Sequence, residues 1–309
     1  MILTIGTSLA LARTMIFDRL TIDTVNRATE VLVASAGKST NVARAAHTLG
    51  ETVLATGTIG GNTGADLAAE LTHAGIPHDF VHTAAPTRVC ITVVDRAAAT
   101  ATELIEETGP VTDEESERLW EKLLDLVPQA RVIVMSGALA PKVPQGFYAM
   151  ICRLARDLAI PAIVDARGPE LLATLAERPL LVKPNRAELE TSIGRSIGDQ
   201  TDLLSAMRDL TTRGAHSVAV TAGKDAVYFC VKDRAWRLTP PRVQVVSAIG
   251  SGDAFAAGFA VGVVRGLEPI ECARLGVACG SANALTSRAG FVTRADIDRL
   301  LPQVTIEPI

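Results

Sequence analysis

Short runs of apolar, β-branched residues alternate along the chain with longer segments whose apolar positions recur every three or four residues. The runs Ile2–Ile5, Val53–Gly57, Val132–Met135, Ala162–Val164, Leu180–Val182 and Ser217–Thr221 are mostly continuous rather than alternating. Continuous runs suit parallel strands covered on both faces. The periodic segments predict helices over Asn41–Thr48, Ala65–Ala74, Asp113–Leu126, Gln145–Leu158, Gln200–Arg213, Asp253–Val264 and Pro269–Ser287. Strand and helix in alternation predict an α/β protein, with a mostly parallel sheet, helices on both faces and right-handed crossovers. Two stretches break the rhythm. Arg13–Ala34 and Arg88–Glu106 read as extended, with no helix between their halves. They predict either a small antiparallel sheet outside the main one or extra edge strands of the main sheet. The preferred division is one domain over 1–309, with lid insertions at 13–34 and 88–106.

Composition narrows the function classes. A chain of 309 residues buries roughly three quarters of its unfolded surface, so a core needs no disulfide or metal. The net charge is −4, from 30 basic and 34 acidic residues, with no basic stripe, and aromatics are only 4%. That balance argues against a nucleic-acid partner and against an anionic membrane surface. Cys90, Cys152, Cys230, Cys272 and Cys279 are odd in number and form no C-x-x-C pair, which reads as reduced core thiols. His47, His73, His78, His82 and His216 show no metal-ligand spacing. The N-terminus has no basic leader, and the most apolar long stretch, Ala254–Val264, is far shorter than the ~20 residues that span a bilayer. A cytoplasmic protein is expected.

The most informative stretch runs from Val245 to Phe259. An apolar strand leads into Gly250-Ser251-Gly252-Asp253, and a helix of small residues follows. Glycines allow a tight turn and close approach of a ligand. Amides of Gly250, Ser251, Gly252 and Asp253 at a helix N-terminus would make an anion site. Asp253 has two readings. It is either an N-cap or a base that takes a proton from an attacking hydroxyl beside the anion cradle. Asn185 and Glu188, three apart in Lys183-Pro184-Asn185-Arg186-Ala187-Glu188-Leu189, are likewise either a reciprocal helix cap or a pair that reaches one water-bridged ion.

Gly250–Phe259 resembles the C-terminal signature of the PfkB, or ribokinase-like, carbohydrate kinases. Ala36-Gly37-Lys38-Ser39-Thr40-Asn41-Val42-Ala43-Arg44-Ala45 and the glycine-rich Gly57–Gly64 resemble the N-terminal signature, and Asn185-x-x-Glu188 a third motif. Order and spacing fit over essentially the whole chain. Val25-Asn26-Arg27-Ala28, Thr87-Arg88, Thr102-Glu103 and Gly109-Pro110 look most similar to the 1-phosphofructokinase and tagatose-6-phosphate kinase branch. The resemblance implies a three-layer α/β/α sandwich with a β-lid, commonly a dimer contact. It implies transfer of the γ-phosphoryl of ATP to a sugar hydroxyl with Mg²⁺. Asp253 would be the base and Gly250, Ser251 and Gly252 the anion hole. Lys183, Asn185, Glu188, Thr221, Gly223 and Asn283 would serve the nucleotide, with Asn185 and Glu188 holding the metal through water. Gly37, Lys38, Asn41 and Arg88 would bind the acceptor, Lys38 and Arg88 through its own phosphate.

Departures from the family pattern lie mainly on the acceptor side. Ser8-Leu9-Ala10-Leu11-Ala12-Arg13-Thr14 aligns with a segment that usually carries an aspartate where Ala12 stands, and that aspartate accepts sugar hydroxyls. Ser39 replaces a usual glycine, and Ser136-Gly137-Ala138-Leu139-Ala140-Pro141 replaces Ser-Gly-Ser-Leu-Pro. On the nucleotide side, Ala226 replaces a usual glycine. Losing the carboxylate at Ala12 removes roughly 1.5–3 kcal/mol of acceptor binding unless another group compensates. The leading expectation is a sugar-phosphate kinase. The alternatives are a kinase of an unphosphorylated sugar or polyol, and a non-catalytic nucleotide- or sugar-binding regulator.

Overall fold

A computed structural model describes residues 1–309 except Lys224. Its strands are β1 (Ile2–Gly6), β2 (Ala10–Phe17), β3 (Glu30–Ala36), β4 (Val53–Gly60), β5 (His78–Thr83), β6 (Arg88–Asp95), β7 (Thr100–Ile105), β8 (Val132–Ser136), β9 (Ala162–Asp165), β10 (Leu181–Val182), β11 (Ser217–Val220), β12 (Val227–Val231), β13 (Arg234–Thr239) and β14 (Thr305–Pro308). The helices are α1 (Lys38–Thr48), α2 (Gly61–His73), α3 (Asp113–Leu126), α4 (Phe147–Asp157), α5 (Gly168–Thr174), α6 (Arg186–Ile193), α7 (Gln200–Thr212), α8 (Ser251–Val264), α9 (Pro269–Asn283) and α10 (Arg294–Leu300).

Ten strands form the main sheet, in the order β14-β13-β12-β11-β10-β9-β8-β1-β4-β5. The run from β5 to β11 is parallel, and β12, β13 and β14 add an antiparallel edge. The apolar side chains of these strands fill two cores, one on each face. This is the expected three-layer, ribokinase-like sandwich. The chain leaves β1 toward β4 on one side and later returns as β8 on the other. That reversal opens a crevice beyond the carboxyl ends of β1, β4 and β8, where open α/β sheets bind ligands.

The two extended insertions form a separate sheet, ordered β3-β2-β6-β7. The expectation of an antiparallel lid needs one correction. β2 and β3 pair antiparallel, as do β6 and β7, but β2 and β6 pair in parallel, from Ala10 opposite Arg88 to Phe17 opposite Asp95. Both strands leave the body in the same direction, so the two hairpins meet along their outgoing strands.

α8 is buried on all sides, which explains its apolar sequence. A Cβ on Gly258 would sit 2.7 Å from Cys279 Sγ, and one on Gly262 would sit 2.8 Å from Cys272 Sγ. The missing side chains let α9 lie against α8. Among the described residues, no helix is long and apolar enough to cross a membrane. α9 ends at Asn283 rather than at Ser287.

Candidate active site

The site begins with the turn into α8. Gly250 is its N-cap with φ of +83°, and a Cβ there would lie 2.7 Å from Ala289 Cα, so both conformation and space require glycine. The Ser251 amide donates to Ala248 O at 3.2 Å. That corrects the expectation that all four amides face a ligand, because Ser251 spends its donor closing the turn. The amides of Gly252 and Asp253 lie in the first helical turn, where no intrahelical acceptor exists. Lys183 Nζ lies 3.3 Å from where a Gly252 Cβ would be, which puts a buried ammonium against this cradle.

Asp253 is not the cap. Its Oδ2 accepts a hydrogen bond from Asn41 Nδ2 at 2.7 Å, linking α8 to α1. Burial, reinforced by the charge of Asp165, raises its carboxyl from 3.8 to about 7, against the opposing pull of Asn41, Lys38 and Lys183. A carboxyl near neutrality, held by one amide, suits a proton acceptor. Asn41 Oδ1 is buried and unpartnered. Gly37, with φ of +108°, starts α1 and packs a virtual Cβ 3.0 Å from Leu9 Cδ2.

Asp165 was not singled out from the sequence, yet it is the hub of the charged network. It ends β9 and is fully buried. Lys38 Nζ lies 3.0 Å from its Oδ1, and Lys183 Nζ lies 3.1 Å from its Oδ2, off the line of a hydrogen bond. A polar residue closing the apolar run Ala162-Ile163-Val164 at the carboxyl edge of a parallel strand was the available signal. Lys38 also reaches Glu188 Oε1 at 2.9 Å. Burial lowers the Lys38 pKa, but Asp165 and Glu188 more than offset it and raise it overall.

Asn185 and Glu188 form the reciprocal cap of α6. Asn185 Oδ1 accepts from the Glu188 amide and Glu188 Oε2 from the Asn185 amide, each at 2.8 Å. The cap leaves Glu188 Oε1, which also meets Lys38 Nζ, as the oxygen of the pair outside it, and the ion reading rests on that oxygen. Thr221 bridges to Asn185, so the turn carrying Gly223 lies beside this cap. Lys224 falls outside the described residues, and Ala226 is buried.

The structure commits Asn283 within the fold and sets Arg88 at the wall of a cleft. Asn283 is fully buried, and its amide serves the protein: Nδ2 donates to Ile249 O and Oδ1 accepts from the Gly290 amide, each at 2.8 Å. Its side chain offers no free face to an adenine. Arg88 and Lys38 share no partner. Arg88 Nη1 donates to Glu106 O at 3.2 Å, its Nε is buried without a partner, and it lines a cleft with Thr7, Thr58, Thr87 and Thr108.

The site thus sets a buried carboxylate in the first turn of a helix, at the point where the strand order of the sheet reverses. Residues 5–295 match the model of the pfkB family carbohydrate kinases, and the chain belongs to that family. It is therefore a sugar kinase, a phosphotransferase acting on an alcohol. Phosphofructokinase-2 from Escherichia coli in complex with potassium is 26% identical, with a TM-score of 0.91 and 98% of each chain covered. The same enzyme in complex with fructose-6-phosphate gives 26% identity and 0.88 over 98% of each chain. Arabidopsis thaliana ribokinase complexed with ribose and ATP, 19% identical, shares the fold at a TM-score of 0.77, covering 97% of this chain and 98% of that one.

Proposed function

We propose that the protein transfers the γ-phosphoryl group of ATP to a hydroxyl of a sugar phosphate, with Asp253 as general base. The observation that carries this reading is the Asp253 carboxylate, buried in the first turn of α8 and aimed by Asn41 rather than turned back as a cap. As the acceptor oxygen attacks the γ-phosphorus, its proton passes to Asp253. The bond from the γ-phosphorus to its bridging oxygen breaks, and ADP leaves with that electron pair. The Gly252 and Asp253 amides and Lys183 stabilise charge on the transferring group. The residues present fit a magnesium nucleotide: Glu188 and Asn185 would meet the metal through water, and Asp165 Oδ2 is a buried acceptor with no hydrogen bond. Bound there, the metal neutralises phosphate charge. Thr221 and Gly223 would border the nucleotide.

Support for a phosphorylated acceptor comes from Arg88, which lines a threonine-rich cleft and forms no ion pair with a carboxylate, and from the relative in complex with fructose-6-phosphate. One observation favours the second reading, an unphosphorylated sugar or polyol. Lys38 is held by two carboxylates, which leaves Arg88 as the only one of the two expected phosphate contacts not already paired with a carboxylate. An acceptor panel with ATP and Mg²⁺, run on wild type and Arg88→Ala, separates the two. A phosphosugar substrate whose KM rises at least tenfold in Arg88→Ala supports the first, and an unchanged KM supports the second. The lid leaves Val31, Val33, Leu104 and Ile105 exposed, and these apolar positions support a homodimer through the lid. The five unpaired cysteines, four of them buried, fit a cytoplasmic setting.

A further inference from the structure

We propose that Asn283 is a positioning residue whose single buried amide sets the anion cradle and the base together. The inference rests on the kinase reading above. Asn283 is the last residue of α9 and is fully buried. A primary amide in such a place destabilises the fold unless both of its ends are paired. Here both are. Nδ2 donates to Ile249 O at 2.8 Å, with Ser251 Oγ farther off at 3.4 Å, and Oδ1 accepts from the Gly290 amide at 2.8 Å. A carbonyl on one side and an N–H on the other allow only one orientation of the side chain.

The two partners are the consequential part. Ile249 immediately precedes Gly250, the residue that turns the chain into the cradle. Gly290 lies against the backbone of Asn41, where a Cβ on Gly290 would sit 2.7 Å from Asn41 Cα. The neighbouring Ala289 lies against Gly250 in the same way, at 2.7 Å from its virtual Cβ. Asn41 in turn donates to Asp253 at 2.7 Å. The path therefore closes: Asn283 to Ile249, through Gly250 and Gly252 to Asp253, across to Asn41, on to Gly290 and back to Asn283. Donors for the transferring group and the base for the acceptor hydroxyl belong to one ring, and Asn283 is its buried tie. Catalysis by fixed donors depends on their being in place before reaction. A shift of about 1 Å in such a group can lower the rate on the order of a hundredfold.

The test compares Asn283→Ala with Cys279→Ala, a change in the same helix that removes packing but no tie. Asn283→Ala should lower kcat about tenfold to a hundredfold, with KM for ATP and acceptor within about threefold. The pH midpoint assigned to Asp253 should also rise, because the Asn41 contact relaxes while Asp165, Lys38 and Lys183 stay around it. Amide hydrogen exchange at Gly250–Gly252 and Gly290 should quicken. Cys279→Ala should lose stability without moving the midpoint or the exchange at those amides. Wild-type kcat and midpoint in Asn283→Ala would overturn the proposal, leaving a packing residue. A raised KM for ATP alone would overturn it in favour of a direct nucleotide contact. If Asn283→Ala does not fold, Asn283→Leu fills the same space, drops both hydrogen bonds and carries the same comparison. If wild type shows no acceptor-dependent turnover, the kinase reading fails, while unchanged exchange at the named amides would still refute the tie.

Discussion

Asp253 carries opposite demands on activity and stability. In the proposed reaction the ionised form is the base, so kcat/KM should rise with pH through about 7 and level off above. The folded carboxyl titrates well above its ordinary 3.8, so between those values the folded state holds the extra proton. Stability contributed at this residue therefore falls as pH climbs from about 4 to about 7 and stays low above. Asp253→Asn removes the buried charge. Its Tm relative to wild type should be higher at pH 8 than at pH 5, and an equal difference at both would refute the shift. The motifs that carry Asp253 and Asn41 stand out because they are local, and the structure joins the two residues by a hydrogen bond. Asp165 was not legible, because an aspartate ending a short strand looks like the start of any turn. Its meaning depends on Lys38 and Lys183, which reach it only after folding. Asn283 was placed beside the adenine on resemblance alone, since nothing local shows that its neighbours in space are Ile249 and Gly290.

The strands β1, β4, β8, β9, β10 and β11 and the helices α1–α4 and α7–α9 were legible because periodicity and continuous apolar runs report burial directly. The parallel strand β5 and the short helices α5, α6 and α10 were not singled out, and the apolar stretch before Gly250, expected as a strand, is not one. Three further features were not legible. The parallel pairing of β2 with β6 depends on the direction in which two distant hairpins leave the body. The edge strand β14 pairs with β13 across about sixty residues of chain, and no short-range pattern encodes that partner. α9 stops at Asn283 in tight backbone turns, in which the Leu285 amide donates to Ala282 O and the Thr286 amide to Asn283 O, and no breaker residue marks that end. The seam between α8 and α9 gives the sharpest prediction among the elements. Gly258→Val would drive a methyl group into Cys279 Sγ and the Leu275 carbonyl. It should destabilise the protein by about 1–3 kcal/mol, read as a lowered urea midpoint. Full stability in that variant would contradict the close packing.

For the whole molecule, the proposed dimer through the lid would link the site to assembly. β2 and β6 spring from the crevice rim at Ala10 and Arg88, and the sheet they form exposes apolar side chains on its outer strands. Val33→Glu combined with Leu104→Glu should convert a dimer into a monomer of 32.5 kDa in sedimentation, with the far-ultraviolet spectrum unchanged. A wild type that already sediments as the monomer would remove the lid interface. On the acceptor side, Ala12 offers no carboxylate and Lys38 is already paired with Asp165 and Glu188. The central claim, a buried carboxylate that deprotonates a sugar hydroxyl beside an anion cradle, is tested most directly by ADP formation with and without acceptor in wild type and Asp253→Asn. Wild type should show acceptor-dependent ADP release, and the variant should lose on the order of a thousandfold in kcat with little change in KM. Equal, acceptor-independent background hydrolysis in both proteins would contradict the account.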